Sequence, residues 1–232
     1  MASAKQPRRD RYHHGDLKPA LRSAARIRLD RGGAAAVSLR EIALAAGVSH
    51  AALYRHYSDR EALLADLAED GFRTLSALNR EAIATTRGGP ARQLKACGRA
   101  YVAFGAREPH LLQLMFGPEI KDWHAHPALV AAGNELASVF EGVIRAGQAK
   151  GTLRAGHYHD LALFAWSLVH GLALLLAADR IPGTRVDPAF ARRAAQRCTD
   201  LSLIGLAPPR ERPRARMIRA ADRMIRAADR DA

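Results

Sequence analysis

The sequence predicts an all-α protein built as a small N-terminal helical domain followed by a larger one. Nearly every segment carries apolar residues at the three- and four-residue spacing of an amphipathic helix, and no run of alternating β-branched residues reads as a strand. The helix breakers fall between these periodic stretches: Gly32-Gly33, Arg87-Gly88-Gly89-Pro90, and prolines at 109, 118, 127, 182 and 188. With 232 residues, 48% of them hydrophobic, the chain can bury a sizeable core.

Taken in order, Asp16 is placed to cap a first helix from Leu17 to about Arg31, with Leu17, Leu21, Ala24 and Ala25 as its apolar stripe. Ser38 opens a second helix, and Glu41 three residues later completes a capping box. Ser58 and Glu61 repeat that pattern ahead of a long helix to about Ala84, lined by Leu63, Leu64, Leu67, Gly71, Phe72, Leu75 and Leu78. Further helices are predicted over 91–107, 109–116, 127–150, 158–180 and 188–206. The stretch from Leu161 to Ala178 has 18 uncharged residues, the lower limit for a membrane span. Ser167, His170 and Gly171 interrupt it and Asp160 and Asp179 bracket it, which favours a helix buried in a subunit interface and no membrane. Behind the Pro/Arg-rich APPRERPRAR, the heptad RMIRAAD occurs twice in succession, at 216–222 and 223–229. Two heptads are too few for an independent coiled coil, so this segment reads as a basic mobile tail, the alternative being a helix that docks on the body or adds non-specific DNA affinity.

Charge narrows the partners. The net charge is +13 and the pI about 10.7. Residues 1–60 hold 12 basic and 5 acidic side chains, residues 61–206 hold 16 and 14, and residues 207–232 hold 8 and 4. Basic ends around a balanced middle suit a polyanion, because neutralising phosphates releases condensed counterions. Two distant cysteines, Cys97 and Cys198, argue against a disulfide scaffold or cysteine-based zinc site. The N-terminal MASAKQPRRDRYHHGD has no apolar core of a secretory signal, and both features suit the cytoplasm. His124-x-His126 and His157-x-His159 have the wrong spacing for two helical ligands to one metal, so no metal or cofactor is expected. No Gly-x-Ser-x-Gly elbow or phosphate loop points to an enzyme.

The densest information lies in SLREIALAAGVSHAALYRHY, residues 38–57. One glycine, Gly47, interrupts what would otherwise be a continuous helix. Two short helices cross steeply only through a tight turn, and glycine supplies its backbone angles. Ile42 and Ala43 then face the first helix, Val48 plugs the corner, and Ser49 caps the second helix. Leu53 and Tyr57 point inward, four residues apart. Ala51 and Arg55 lie opposite, flanked by His50 and Tyr54. A buried stripe backed by small, polar and aromatic side chains is what a helix needs to read a major groove.

SLREIALAAGVSHAALYRHYSDREALL resembles the DNA-binding domain of the TetR family of one-component regulators, over about Tyr12 to Leu67. Trp166, His170 and Gly171 in AWSLVHGLALL, and PHLLQLMF at 109–116, resemble a Trp–His–Gly group of TetR-type C-terminal domains. Position 57 is more often Phe in the family, Ser58 stands where Lys is common, and the next basic position is Arg60; the duplicated tail is not part of the pattern. The resemblance implies a basic arm at 1–14, a helix-turn-helix domain at 15–60, a ligand-binding and dimerisation domain at 61–206, and a tail at 207–232. It implies a homodimer on double-stranded DNA with a palindromic operator, released by a small-molecule effector.

On that resemblance, Tyr54, His56 and Arg60 are expected at phosphates and His50, Ala51, Ala52 and Arg55 at bases. Ser38 and Ser49 either donate to phosphate or simply cap. Arg8, Arg9, Arg11, His13 and His14 form a candidate DNA arm. Candidate pocket residues are Phe72, Leu75, Tyr101, Phe104, Leu112, Met115, Phe116, Trp123, Phe140 and Trp166. Candidate dimer-interface residues are Trp166, His170, Gly171, Leu174 and Leu201, with 158–180 and 188–206 forming the seam. The competing expectation is a basic architectural DNA binder with little sequence preference.

Overall fold

The structure, a computed structural model, describes residues 17–181 and 188–208. Among them the only regular elements are helices: α1 (Leu17–Gly32), α2 (Leu39–Ala45), α3 (His50–Tyr54), α4 (Arg60–Thr85), α5 (Pro90–Arg107), α6 (Pro109–Phe116), α7 (Pro127–Ala149), α8 (Tyr158–Ala177) and α9 (Pro188–Leu206). Short 3-10 turns precede α2 (Ala34–Ala36) and α7 (Trp123–Ala125). The candidate arm with Arg8, Arg9, Arg11, His13 and His14, the Asp16 cap and the duplicated heptad lie outside the described residues.

Each helix forms for a legible reason. α1 buries Leu17, Leu21, Ala25 and Leu29, a strict four-residue stripe. α5, α6 and α7 each begin with proline, whose fixed φ suits a first turn. α4 starts one residue later than the Ser58 box predicts. Asp59 is its cap, accepting from the Ala62 N–H at 2.8 Å, while the Ser58 hydroxyl donates to Asp59. A carboxylate outcompetes a hydroxyl for helix N–H groups because it also meets the positive end of the helix dipole. Ser38 does sit at the α2 cap position, but its hydroxyl makes no cap bond; Glu41 instead pairs with Arg28 of α1 at 2.9 Å.

α4 threads both halves of the molecule. Leu63, Leu64 and Leu67 join the core of α1–α3, and Phe72 and Leu75 join that of α5–α7. At Gly71 a Cβ would come within 2.7 Å of the Met115 sulfur, so glycine is what lets α6 lie against α4. α8 and α9 pack on α5, where Thr199 occupies the space a Cβ of Gly98 would need. α8 is long and apolar enough to cross a membrane, yet it lies along α5, α6, α7 and α9.

Candidate nucleic-acid interface and ligand cavity

The turn at Gly47 has φ +67°, in the left-handed region, and the Val48 N–H donates to the Ala43 carbonyl to close it. The turn directs α3 outward across α2. Ser49 caps α3, its hydroxyl accepting from the Ala52 N–H at 3.2 Å. Leu53 and Tyr57 are buried, as their spacing predicts. Ala52 corrects the expectation that it faces bases: it is only 9% exposed and sits in the core. Because α3 is five residues long, fixing Leu53 inward turns its neighbour Ala52 under as well. The outward set is therefore His50, Ala51, Tyr54, Arg55 and His56, all exposed. Arg55 caps the C-terminus of α3, and its side chain has no hydrogen bond or ion pair among the described residues. His50 and Tyr54 lie ring against ring, 6.0 Å between centroids.

Arg60, expected at a phosphate, has partners within the chain as well. Its guanidinium donates to the Val37 carbonyl at 2.9 Å and to the Ala34 carbonyl, tying the start of α4 to the loop before α2. Arg60→Ala is expected to lower unfolding free energy by about 1–2 kcal/mol, because two carbonyls lose a charged donor. Urea denaturation measures it. An unchanged midpoint with a salt slope of DNA binding shallower by about one would instead return Arg60 to a phosphate.

An ionic knot locks this domain to α4. The Asp66 carboxylate accepts from Arg22 Nε at 2.8 Å, from Arg22 Nη2 at 3.1 Å and from the Tyr57 hydroxyl at 2.7 Å, with Lys18 Nζ at 3.4 Å. Burial opposes ionisation of Asp66, but these donors outweigh it, and its pKa lies below the usual carboxylate value. The Tyr57 hydroxyl is pushed well up by burial and by the carboxylate it donates to. This supplies the partner that a buried tyrosine in place of phenylalanine requires.

The larger domain holds a cavity of about 650 Å³, open to solvent on one side, between α4, α6, α7 and α8. Of the ten candidate pocket residues, Phe72, Met115, Phe116, Trp123, Phe140 and Trp166 line it. Leu75, Tyr101, Phe104 and Leu112 do not; they are fully buried packing residues behind the wall. Residue type alone does not identify the contribution of α7 and α8: Val130, Gly133, Asn134, Leu136, Ala137 and Glu141 from α7, and His159, Asp160, Ala162 and Leu163 from α8. Their helical spacing is legible in the sequence, but which face turns to the void is not.

Behind the wall, Trp166 Nε1 donates to the Tyr101 hydroxyl at 3.2 Å, and that hydroxyl lies 2.8 Å from His170 Nδ1. His170 also packs against the Phe116 ring at 4.4 Å, and burial lowers its pKa. This corrects the placing of Trp166 and His170 on an outer seam, since both turn inward toward α5 and α6. The outward stripe of α8 is instead Phe164, Leu168, Gly171 and Leu175, at spacings of four, three and four. Leu201 and Ile204 of α9, 67% and 74% exposed, continue the apolar face, and Leu174 is half-buried against the core.

These features have counterparts in known proteins. Residues 21–67 match the family described as bacterial regulatory proteins, tetR family, and residues 94–198 match the tetracyclin repressor-like C-terminal domain. No curated protein matches the chain. Among solved structures, a protein of unknown function from Rhodococcus sp. RHA1 is 33% identical, with a TM-score of 0.74 over 86% of this chain and 100% of that one. A bacterial regulatory protein of the tetR family from Rhodococcus RHA1 is 22% identical, with a TM-score of 0.65 over 83% of this chain and 98% of its own. The transcriptional regulator FadR from Bacillus subtilis, in complex with stearoyl-CoA, is 12% identical, with a TM-score of 0.67 over 82% and 99%. A helix-turn-helix closed by Gly47 and a hollow helical domain, each matching its own half of one family in the same chain order, make this protein a member of the TetR family of transcriptional regulators.

Proposed function

We propose that the protein is a homodimeric repressor that binds a palindromic operator through α3 and leaves it when a small molecule fills the α4–α8 cavity. The observation that carries the DNA half is the outward face of α3, where Arg55 is exposed and unengaged beside Ala51 and Tyr54 while Leu53 and Tyr57 anchor the helix from behind. Arg55 can grip a guanine edge with two hydrogen bonds. Arg55→Ala is therefore expected to cost about 1–3 kcal/mol on the operator and to relax preference at one base pair of each half-site. Equal loss on operator and unrelated duplex would contradict that orientation.

The coupling follows from two helices that belong to both halves. α4 carries Leu63 and Leu67 in the DNA-binding core and Phe72 in the cavity wall. α6 meets α1 at one end, through a Glu108–Arg26 ion pair and a His110 Nδ1 contact to the Asp30 carbonyl at 3.0 Å, and lines the cavity with Met115 and Phe116 at the other. A ligand that separates these walls shifts α4 and with it the distance between the two recognition helices. Binding that weakens operator affinity without changing that distance would contradict this mechanism. The dimer is supported by the apolar face of α8 and α9, which has no covering element in one chain among the described residues.

Selection of bound duplexes from a random DNA pool tests the reading as a whole. The expected result is an inverted repeat with half-sites about 34–36 Å apart, bound on the order of 10³-fold more tightly than unrelated duplex. Recovery of no motif would favour an architectural binder instead.

A further inference from the structure

We infer that the cavity selects an amphipathic organic cation, an ammonium or aromatic amine carried on an apolar body. This deepens the effector reading above and rests on it. The deep end of the cavity is aromatic: Phe72 meets Phe116 and Trp123 edge-on, at 5.1 and 5.4 Å between centroids, Trp166 lies against Phe116 at 5.7 Å, and Phe140 adds a further ring to the lining. Such a box accommodates an apolar chain or ring, and its faces attract positive charge through their quadrupoles.

The polar side chains are few and segregated. Besides the indole N–H groups of Trp123 and Trp166, the hydrogen-bonding side chains of the lining among the described residues are Asn134, Glu141, His159 and Asp160, and His159 and Asp160 stand at the solvent-open side with about half and four-fifths of their side-chain surfaces exposed. Among the described residues the lining holds two carboxylates and no lysine or arginine. Glu141 is the more enclosed acid, its side chain 16% exposed; it accepts from Arg145 at 3.1 Å and lies 2.8 Å from His159 Nδ1. Arg145 itself lies outside the lining, over the Tyr158 ring.

An anionic head group entering between α7 and α8 would meet Glu141 and Asp160, with no lysine or arginine among the described lining residues to receive it. A cationic head meets both carboxylates while its body lies against the rings, and it takes over from the His159 contact at Glu141. A neutral apolar ligand would gain only the walls. The stearoyl-CoA complex of the Bacillus subtilis regulator concerns a ligand of opposite charge, so the shared fold does not decide the ligand; the side chains of this cavity do.

The molecule carries its own reporter, because its two tryptophans, Trp123 and Trp166, both line the cavity. Three ten-carbon probes kept below their micelle concentrations, decyltrimethylammonium, decanol and decanoate, would be titrated against the full-length protein by tryptophan fluorescence. The ammonium probe is expected to bind about tenfold or more tightly than the other two. Glu141→Gln and Asp160→Asn are each expected to lower ammonium affinity severalfold and leave decanol binding unchanged, a control for correct folding. Equal or tighter binding of decanoate or decanol, or no fluorescence response to any probe, would overturn the inference. Operator binding measured in parallel separates the two readings: an ammonium probe that binds without releasing DNA upholds the ligand class and removes the effector role.

Discussion

Asp66→Asn is expected to loosen the joint between the DNA-binding domain and α4 more than any surface substitution. The carboxylate is 10% exposed and receives Arg22 twice, Tyr57 once and Lys18 at slightly longer range. Neutralising it leaves a guanidinium and a phenol facing an amide that cannot satisfy both. Hydrogen bonds to a charged group contribute about 1.5–3 kcal/mol each when one partner is removed, and part of that is offset because Arg22 is partly exposed to water. A net loss of about 2–3 kcal/mol, or a fall in Tm of about 5–10 °C, is expected by calorimetry. Tyr57→Phe, which restores the residue more common in the family, should cost about 1 kcal/mol alone and little in the Asp66→Asn background, because the two share one interaction. The pH dependence has a defined sign. Since the folded pKa of Asp66 lies below its unfolded value, its stabilisation is complete above the ordinary carboxylate pKa of about 3.9 and disappears as pH falls through the lower folded value. The difference between wild type and Asp66→Asn should therefore be flat near neutrality and shrink below about pH 4. A variant with unchanged Tm would show that the knot contributes orientation without stability.

Leu168→Glu is expected to have the largest effect on DNA binding, from a residue on α8, in the domain that does not carry the helix-turn-helix. Phe164, Leu168, Gly171 and Leu175 form the outward stripe of α8 beside Leu201 and Ile204 of α9. In the proposed dimer this face is covered by its two-fold mate, so a glutamate at its centre buries an unpaired charge twice. Sedimentation at micromolar concentration should show monomers. Operator affinity should fall by about 10²–10⁴-fold, since the second half-site then has to be bound independently instead of at the high local concentration a dimer provides. Leu201→Glu should act the same way. Dimers that persist in both variants would place the subunit contact on another surface.

Residues that pack by local periodicity are legible in the order of amino acids. α1 lies within a residue of its expected limits, Ile42, Ala43, Leu53 and Tyr57 are buried as their spacing requires, and Gly47 has the positive φ its position demands. Expectation and structure part where a side chain has to choose between partners. The capping-box pattern points to Ser58, but the Asp59 carboxylate beside it takes the cap position because it also meets the positive end of the helix dipole. Arg60 reads as a phosphate ligand because it is basic at a helix start, but the carbonyls of Ala34 and Val37 lie within its reach and sequence spacing does not reveal them. Ala52 suits an outer face because small residues fit a groove, whereas the rotation of a five-residue helix is set by its two anchors.

The amino-acid sequence by itself determined that the chain is helical, the order and approximate extents of its helices, and that a tight turn projects a short helix with Arg55 at its end. Those properties depend on interactions three or four residues apart, which the order of residues encodes directly. Only the tertiary structure decided which aromatics surround a void and which pack behind it, that Trp166 and His170 face Tyr101 while Phe164 and Leu168 face outward, and that Asp66 gathers Arg22 and Tyr57. α8 is apolar on nearly every side, so its own pattern cannot state its rotation. That rotation comes from the simultaneous packing of α5, α6, α7 and α9 around it, a balance among surfaces distant in sequence.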